Sequence, residues 1–332
     1  IFAWELTRSP SLVALLGVLR MLPYVALGFF TGAIADSIDR RRGQMATLAV
    51  MTATSLVMAA LTATGNAGYT AVAAATMISG AFWTTDMPLR RRLLVDAADG
   101  KVAAALGFDN ATVYAARAIG PLTGGLAYQS LGISGIYAII ALSYLGSLGL
   151  AFRIASPPAA TTASLSLGER LRLLVPPRAL VLSRPFLVIM GVTLVYNVWC
   201  FPFISMVPVI AQKDFALAPA AVGALSACDG IGGTLGAPVG GALARERTQI
   251  RFYFLRNLGF VLLIGALSLH LTVGATVATL LMLGVAAAFF SATQYGLIYV
   301  MSPPEARGRV SGVLSLCIGS SMLGHYHAGL LF

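Results

Sequence analysis

The sequence predicts an all-α membrane protein, a bundle of transmembrane helices, from its composition and from the length and period of its apolar stretches. The chain has 332 residues, of which 58% are hydrophobic and 10% charged, and its mean hydropathy is +0.85. Apolar stretches of about 20 residues recur with helical periodicity, and each is long enough to cross a bilayer. Ten complete spans are expected, at residues 12–34, 46–64, 69–89, 102–127, 133–153, 186–210, 220–244, 252–271, 274–298 and 309–331.

The basic residues are divided unequally between alternate loops. Of the 22 Lys and Arg residues, two lie in loops on one side, Arg8 and Lys213. Seventeen lie in the alternate loops, near residue 40 and at 90–101, 153–184, 245–251 and 307–309. The positive-inside rule places these loops in the cytoplasm. The net charge of +10 then faces an anionic inner leaflet and indicates no nucleic-acid partner.

A polar stretch at residues 155–184 divides the chain into an N-terminal bundle at 1–154 and a C-terminal bundle at 185–332. Leucines at helical spacing within it, such as Leu167 and Leu171, predict a short amphipathic helix. We expect this helix to lie on the inner membrane surface as part of a cytoplasmic linker.

The two halves carry an internal repeat. GAIAD at residues 32–36 matches GALAR at residues 241–245, an offset of 209 residues from 32 to 241. The same offset places Arg20 opposite Asp229. Two repeated halves joined by a linker are typical of secondary transporters.

The charged loop after the first complete span resembles the loop motif of the major facilitator superfamily. In that motif a glycine is followed four residues later by an aspartate and then by a basic cluster. The residues concerned are Gly32, Asp36, Asp39, Arg40, Arg41 and Arg42. The superfamily pattern has a basic residue where Ser37 stands and a glycine where Asp39 stands.

Three further stretches resemble one branch of this superfamily, the drug and siderophore exporters similar to enterobactin and macrolide efflux proteins. They are ELTRSP at 5–10, MPLRRRLLVD at 87–96 and PPEARGRVSG at 303–312. The resemblance implies the major facilitator fold, with two pseudo-symmetric six-helix bundles. Because about ten spans are present, we expect the terminal helices to be missing from the given sequence.

The charged loop is interpreted as a cytoplasmic latch. Gly32 permits close helix approach, and Asp36 can accept hydrogen bonds from arginines and from a helix N-terminus. Such a cluster would close the cytoplasmic side in the outward-facing state. The alternative is that Arg40, Arg41 and Arg42 only set the topology.

A glycine-rich pattern in the span at 102–127 resembles the antiporter motif of the superfamily. Its residues are Gly107, Gly120, Pro121, Gly124 and Gly125, with Ala116 where another glycine is usual. Small residues permit tight helix packing, and proline bends a helix. The resemblance implies export rather than uptake.

Charged residues within spans are costly and mark candidate functional positions. Asp229 is the first candidate for a proton-coupling carboxylate and Asp109 the second, with Arg117 and Arg20 as the nearby cations. The alternative is static ion pairing, of Asp229 with Arg20 or of Asp109 with Arg117. Asp86, near an inner helix end, is expected to be solvated or to cap the helix.

Polar and aromatic residues are candidates for lining a substrate cavity, because the resemblance implies that four helices surround it. They are Trp83, Thr84, Thr85, Tyr196, Asn197, Trp199, Gln294 and Tyr295. Their chemistry suits a bulky, partly apolar molecule with polar substituents. The alternative is an interfacial aromatic belt or simple helix packing.

The sequence contains neither a phosphate-binding glycine loop nor a catalytic constellation, so we expect no enzyme, catalytic residue, metal site or cofactor. The expected function is proton-coupled efflux of amphipathic small molecules, such as drugs or siderophores, driven by the proton gradient. The expected partners are a small-molecule substrate, protons and the lipid bilayer, with the protein a multi-pass monomer in a bacterial inner membrane. An uptake permease and a degenerate member acting as a sensor or partner subunit remain alternatives.

Overall fold

A computed structural model gives the fold of the chain. It describes the backbone except at residues 38, 99–100, 155–177, 243–248, 268, 270–271, 302–306 and 332. Side chains are also not described at residues 28–37, 88, 91–92, 95–96, 102–104, 106–107, 110, 178–179, 238–242, 249–254, 256, 292, 295–296, 298–301, 307–309, 311–312 and 331. The α-helices are α1 (Phe2–Thr7), α2 (Pro10–Ser37), α3 (Arg40–Ala63), α4 (Tyr69–Asp96), α5 (Val102–Ala151), α6 (Arg178–Val181), α7 (Arg184–Val195), α8 (Phe203–Lys213), α9 (Pro219–Ala242), α10 (Gln249–Leu267), α11 (Val273–Met301), α12 (Arg307–Gly319) and α13 (Ser321–Leu331).

The predicted all-α fold is confirmed, and each of the ten predicted spans falls on one helical pass. Helix α5 contains two passes, separated at Gly132, whose φ of 65° and ψ of −175° break the helix. Glycine adopts this positive φ without the steric cost that a side chain brings. Among the described residues, five stretches are both long and apolar enough to cross a membrane: Pro10–Leu27, Arg40–Ala63, Ala111–Ala151, Arg184–Lys213 and Val273–Ser291.

Two passes are interrupted where the sequence predicts continuous spans. Between α7 and α8 the chain forms a π-helical turn at Tyr196–Cys200, in which the Phe201 N–H donates to the Tyr196 carbonyl at 2.9 Å. Pro202 follows and has no N–H to continue the ladder. Helices α12 and α13 are separated at Ser320, in a Gly-Ser-Ser sequence of the kind that kinks helices.

The halves pack against each other along two seams. Helix α5 of the N-terminal half packs on α9 of the C-terminal half, and α2 packs on α12 and α13. Within the halves, α2 packs on α4 and α9 packs on α11. We call the end of the bundle near residues 10, 66, 132 and 216 the outer end, following the charge distribution of the loops. The positions at 155–177, where the amphipathic helix is predicted, lie outside the described residues.

Candidate functional site

The first candidate for the proton-coupling carboxylate, Asp229, lies on the seam between the halves. Asp229, near the middle of α9, is 5% exposed, and Arg117 of α5 donates from Nη2 to its Oδ2. The other carboxylate oxygen, Oδ1, is buried and has no hydrogen-bond partner among the described residues. A carboxylate with one satisfied and one unsatisfied oxygen is therefore held between the two halves.

Glycines bring the backbones close enough to form this pair. Gly230 of α9 lies against the backbone of Arg117, and Gly284 of α11 lies against the backbone of Asp229. A Cβ atom added to either glycine would overlap these backbone atoms. The charged pair is thus positioned by direct helix-to-helix contact on both sides of α9.

The antiporter-like motif contributes to the same seam through one of its glycines. A Cβ on Gly125 would lie 2.6 Å from the Pro219 carbonyl oxygen and 2.8 Å from the Cα of Gly223. Added Cβ atoms on Gly120 and Gly124 would meet nothing within 4 Å. Gly107 lies outside the residues whose side-chain positions are described. The predicted tight packing is therefore found at Gly125 and not at Gly120 or Gly124.

A cavity of about 340 Å³ lies beside this motif at the outer end. Pro121, Gly124 and Gly125 line one side of it, and Pro208 and Val222 of the C-terminal half line the other. The cavity therefore lies between the halves, next to the packed part of the seam.

The second candidate acid belongs to a cluster inside the N-terminal half. Asp109 of α5 is 2% exposed and forms an ion pair with Arg90 of α4. The Arg90 Nε also lies 3.6 Å from Asp86 Oδ2, and Gln44 of α3 donates to the other oxygen of Asp86. The cluster thus links three helices of one half.

These contacts correct two expectations, the static pairing of Asp109 with Arg117 and a solvated or capping role of Asp86. Arg117 pairs with Asp229 and not with Asp109, because α5 turns this residue towards α9. Asp109 pairs with Arg90. Asp86 is buried and hydrogen-bonded, where a solvated or capping role is expected from the sequence. The spacing of Asp86 and Arg90, i and i+4 on one helix, was a signal for their pairing.

The remaining cation, Arg20, is not paired with Asp229. It lies near the middle of α2, and its guanidinium carbon is 5.5 Å from the centroid of the Trp83 ring of α4. The Tyr24 ring lies 6.2 Å from the Trp83 ring. Gly80 of α4 packs against the Arg20 backbone, which brings α2 and α4 together at this level.

The cavity candidates of the C-terminal half make contacts within that half. The buried Tyr196 ring stacks on Phe290 at 3.9 Å and meets Phe260 edge-on at 5.0 Å. Asn197 Nδ2 donates to the Thr193 carbonyl at 2.9 Å. Gln294 and Trp199 have contacts of their own, the first donating to Thr193 Oγ1 at 2.6 Å and the second meeting the His327 ring at 4.9 Å. Tyr295 lies outside the described side chains.

The candidates on α4 differ in their contacts. Thr84 Oγ1 donates to the Gly80 carbonyl at 2.8 Å, and Thr85 Oγ1 donates to the Ala81 carbonyl at 3.0 Å, so both hydroxyls bond their own helix. Trp83 instead presents its ring to Arg20. A substrate-lining role of these eight residues stays a prediction.

The charged loop is described in part. Asp39 caps α3, since its Oδ1 accepts from the N–H groups of Arg41 at 2.9 Å and Arg42 at 3.2 Å. Arg41 Nη2 donates to the Phe152 carbonyl at 2.6 Å, which ties the start of α3 to the end of α5. Arg40 begins α3, and the surroundings of Gly32 and the side chain of Asp36 are not described. The latch stays a prediction.

A bundle of apolar helices with buried carboxylates paired to arginines inside its spans defines the protein as a polytopic membrane protein of the transporter type. A family profile described as the Major Facilitator Superfamily matches residues 2–324. The chain belongs to this superfamily, and it is a multi-pass membrane transporter. No curated protein sequence matches the chain.

Solved structures of transporters share the fold. A bacterial homologue of the iron transporter ferroportin, in the inward-facing state, aligns with a TM-score of 0.69 at 15% identity, over 98% of this chain and 83% of the other. A bacterial homologue of the human lysosomal transporter Spinster, inward-facing and unoccupied, has a TM-score of 0.75 at 14% identity, over 97% and 74%. The human organic anion transporter MFSD10 has a TM-score of 0.64 at 19% identity, over 97% and 77%. At these identities the likeness concerns the fold alone.

Proposed function

We propose that this transporter exports amphipathic small molecules in exchange for protons, and that Asp229 carries the proton. One observation carries the proposal. The Arg117–Asp229 pair joins α5 to α9, so it holds the two halves together at the level where alternating access requires them to move.

The chemistry of the pair links protonation to the position of the halves. When Asp229 is ionised, its attraction to Arg117 favours the packed seam in which the two helices are in contact. When Asp229 takes up a proton, the carboxyl is neutral and the attraction between the charges is lost. A proton on Asp229 therefore changes the free-energy difference between the packed and parted seam, which is what coupling requires.

The environment of Asp229 supports its assignment over Asp109. Asp229 Oδ1 is buried without a described partner, so a proton arriving there displaces no other hydrogen bond among the described residues. Asp109 lies within one half and shares Arg90 with Asp86. Protonation of Asp109 would weaken its pairing with Arg90, which lies in the same half.

Proton release from everted membrane vesicles tests the proposal. Vesicles are energised to an acid interior, candidate amphipathic compounds are added, and release is recorded per folded transporter. We expect release with at least one compound, its loss in Asp229→Asn, and its retention in Asp109→Asn and in the exposed-loop control Asp214→Asn.

The outcomes separate the alternatives. Proton release that persists in Asp229→Asn would show that a group other than Asp229 carries the proton. Absence of release with every compound, from well-folded protein, would contradict antiport. Accumulation of a compound in right-side-out vesicles would then indicate an uptake permease.

A further inference from the structure

Arg20 is a cation near the middle of a membrane-spanning helix, and it has no acidic partner among the described residues. It is the eleventh residue of the 28-residue helix α2, and the ion pairs among the described residues do not include it. An arginine at the centre of a transmembrane helix costs about 3 kcal/mol on insertion scales. Such a residue requires a compensating group or a polar space.

The aromatic contact of Arg20 compensates only part of this cost. A cation over a Trp face gains about 0.5 to 2 kcal/mol. Trp83 occupies one side of the guanidinium, and more than a third of the Arg20 surface remains accessible. Among the described residues none accepts a hydrogen bond from the Arg20 side chain, so its donors are open to a further partner.

The neighbours of α2 place Arg20 inside the bundle. One turn before it, Gly17 packs against the His325 ring of α13, in the other half of the chain. The Arg20 backbone itself packs against Gly80 of α4. With α13 packed one turn away and α4 packed on its backbone, Arg20 lies at a level of α2 where the two halves are in contact.

The geometry points to a binding subsite in which the Arg20 guanidinium takes the carboxylate or sulfonate group of a small organic anion. Trp83 and Tyr24 form the aromatic wall beside that group, suited to an aromatic or flat apolar body. A guanidinium binds a carboxylate through two parallel hydrogen bonds. The anion then supplies the negative charge that Arg20 does not find among the described residues. The subsite rests on the proposed function and specifies the class of substrate, because the anionic group is part of the exported molecule.

Quenching of Trp83 fluorescence tests the subsite without knowledge of the natural substrate. The protein has three tryptophans, so Trp4→Phe with Trp199→Phe leaves Trp83 as the reporter. Iodide, acrylamide and caesium serve as anionic, neutral and cationic quenchers. We expect the iodide quenching constant to fall at least about threefold in Arg20→Gln and to be kept in Arg20→Lys, with acrylamide quenching unchanged. Arg8→Gln, which removes the same charge at the outer end, should have no effect.

Benzoate and benzamide then test recognition of an organic anion, because they share one ring and differ in charge. We expect benzoate to protect Trp83 from iodide and benzamide not to protect it, and Arg20→Gln to abolish the protection. Calorimetric titration of the protein with all tryptophans intact repeats the comparison should the tryptophan changes impair folding. Equal iodide quenching with and without Arg20, or equal protection by both compounds, overturns the subsite.

The quenching and binding experiments do not depend on proton coupling. Binding and quenching require no gradient, so an Arg20-dependent anion effect without proton release would leave the subsite standing and contradict antiport. Proton release with no Arg20 effect would contradict the subsite alone.

Discussion

The two halves of the molecule place opposite charges at equivalent positions. Arg20 of α2 and Asp229 of α9 are separated by the repeat offset of 209 residues. Each has its backbone packed against a glycine of the neighbouring helix, Arg20 against Gly80 of α4 and Asp229 against Gly284 of α11. The same helix-to-helix contact therefore carries a cation in one half and an anion in the other.

The difference lies in what each charge contacts. Asp229 is buried and takes its partner, Arg117, from the opposite half, whereas Arg20 lies on an aromatic ring of its own half and remains accessible. A pair across the seam resists separation of the halves, while a cation without an acid among the described residues has room for a ligand. Both aligned positions have a backbone contact with a glycine, and the two proposals above give their side chains different roles.

Removal of either member of the seam pair should have the largest effect. Asp229→Asn leaves the Arg117 charge unpaired, and we expect a loss of about 2 to 3 kcal/mol of unfolding free energy in detergent, because Arg117 is about a third exposed. The double variant Arg117→Gln with Asp229→Asn should recover at least half of this loss, because no buried charge is then left alone. Chemical unfolding of the unchanged protein, the two single variants and the double variant measures the coupling energy between Arg117 and Asp229.

Arg20→Gln is the matched change in the other half. We expect it to change the unfolding free energy by less than about 1 kcal/mol, because no acid among the described residues pairs with Arg20 and its contact with Trp83 is partly exposed. A loss as large as that of Asp229→Asn would show that Arg20 has a structural partner, and the division of tasks between the halves would not hold.

The paired glycines test whether the two backbone contacts are equivalent. Gly80→Ala and Gly284→Ala each place a methyl group against a neighbouring backbone, and we expect each to cost about 1 to 3 kcal/mol. Gly146→Ala, where an added Cβ meets nothing within 4 Å, should be neutral or slightly stabilising because alanine favours helix. Thermal unfolding of the three variants gives the comparison. A large cost at only one of the two contacts would show that the repeat does not extend to packing.

Hydropathy and charge were sufficient to predict the number of passes and the break between the spans at 102–127 and 133–153. Both depend on a local property, the length of an apolar run. The interruption at Tyr196–Cys200 was missed because the apolar run continues through it, although Pro202 and Pro208 were signals for a break.

The sequence also located the buried charges but not their partners. Arg117 and Asp229 are 112 residues apart, and their pairing depends on α5 packing against α9 with these two residues facing. Such packing follows from contacts between halves, chiefly those of glycines, which sequence spacing does not encode. The repeat offset aligned Arg20 with Asp229, and alignment under a repeat does not bring two residues into contact.

The smallest predicted effect concerns Asp39 in the loop before α3 and its counterpart under the repeat. Variants at Asp39 distinguish a contribution to stability from a contribution to the latch. Asp39 caps α3, and the repeat offset places a threonine at position 248 in the other half. Threonine also caps helices but carries no charge. We expect Asp39→Ala to cost about 1 kcal/mol of unfolding free energy and Asp39→Thr to retain most of it. Asp214→Ala, at an exposed outer loop, serves as the control.

Transport by the same variants then tests the latch. If the negative charge of Asp39 holds the cytoplasmic side closed through the neighbouring arginines, Asp39→Thr should alter the transport rate while stability is kept. If both variants change transport only in proportion to their loss of stability, Asp39 acts as a helix cap. The arginines would then be explained by topology alone, because a positively charged loop needs no aspartate to remain in the cytoplasm.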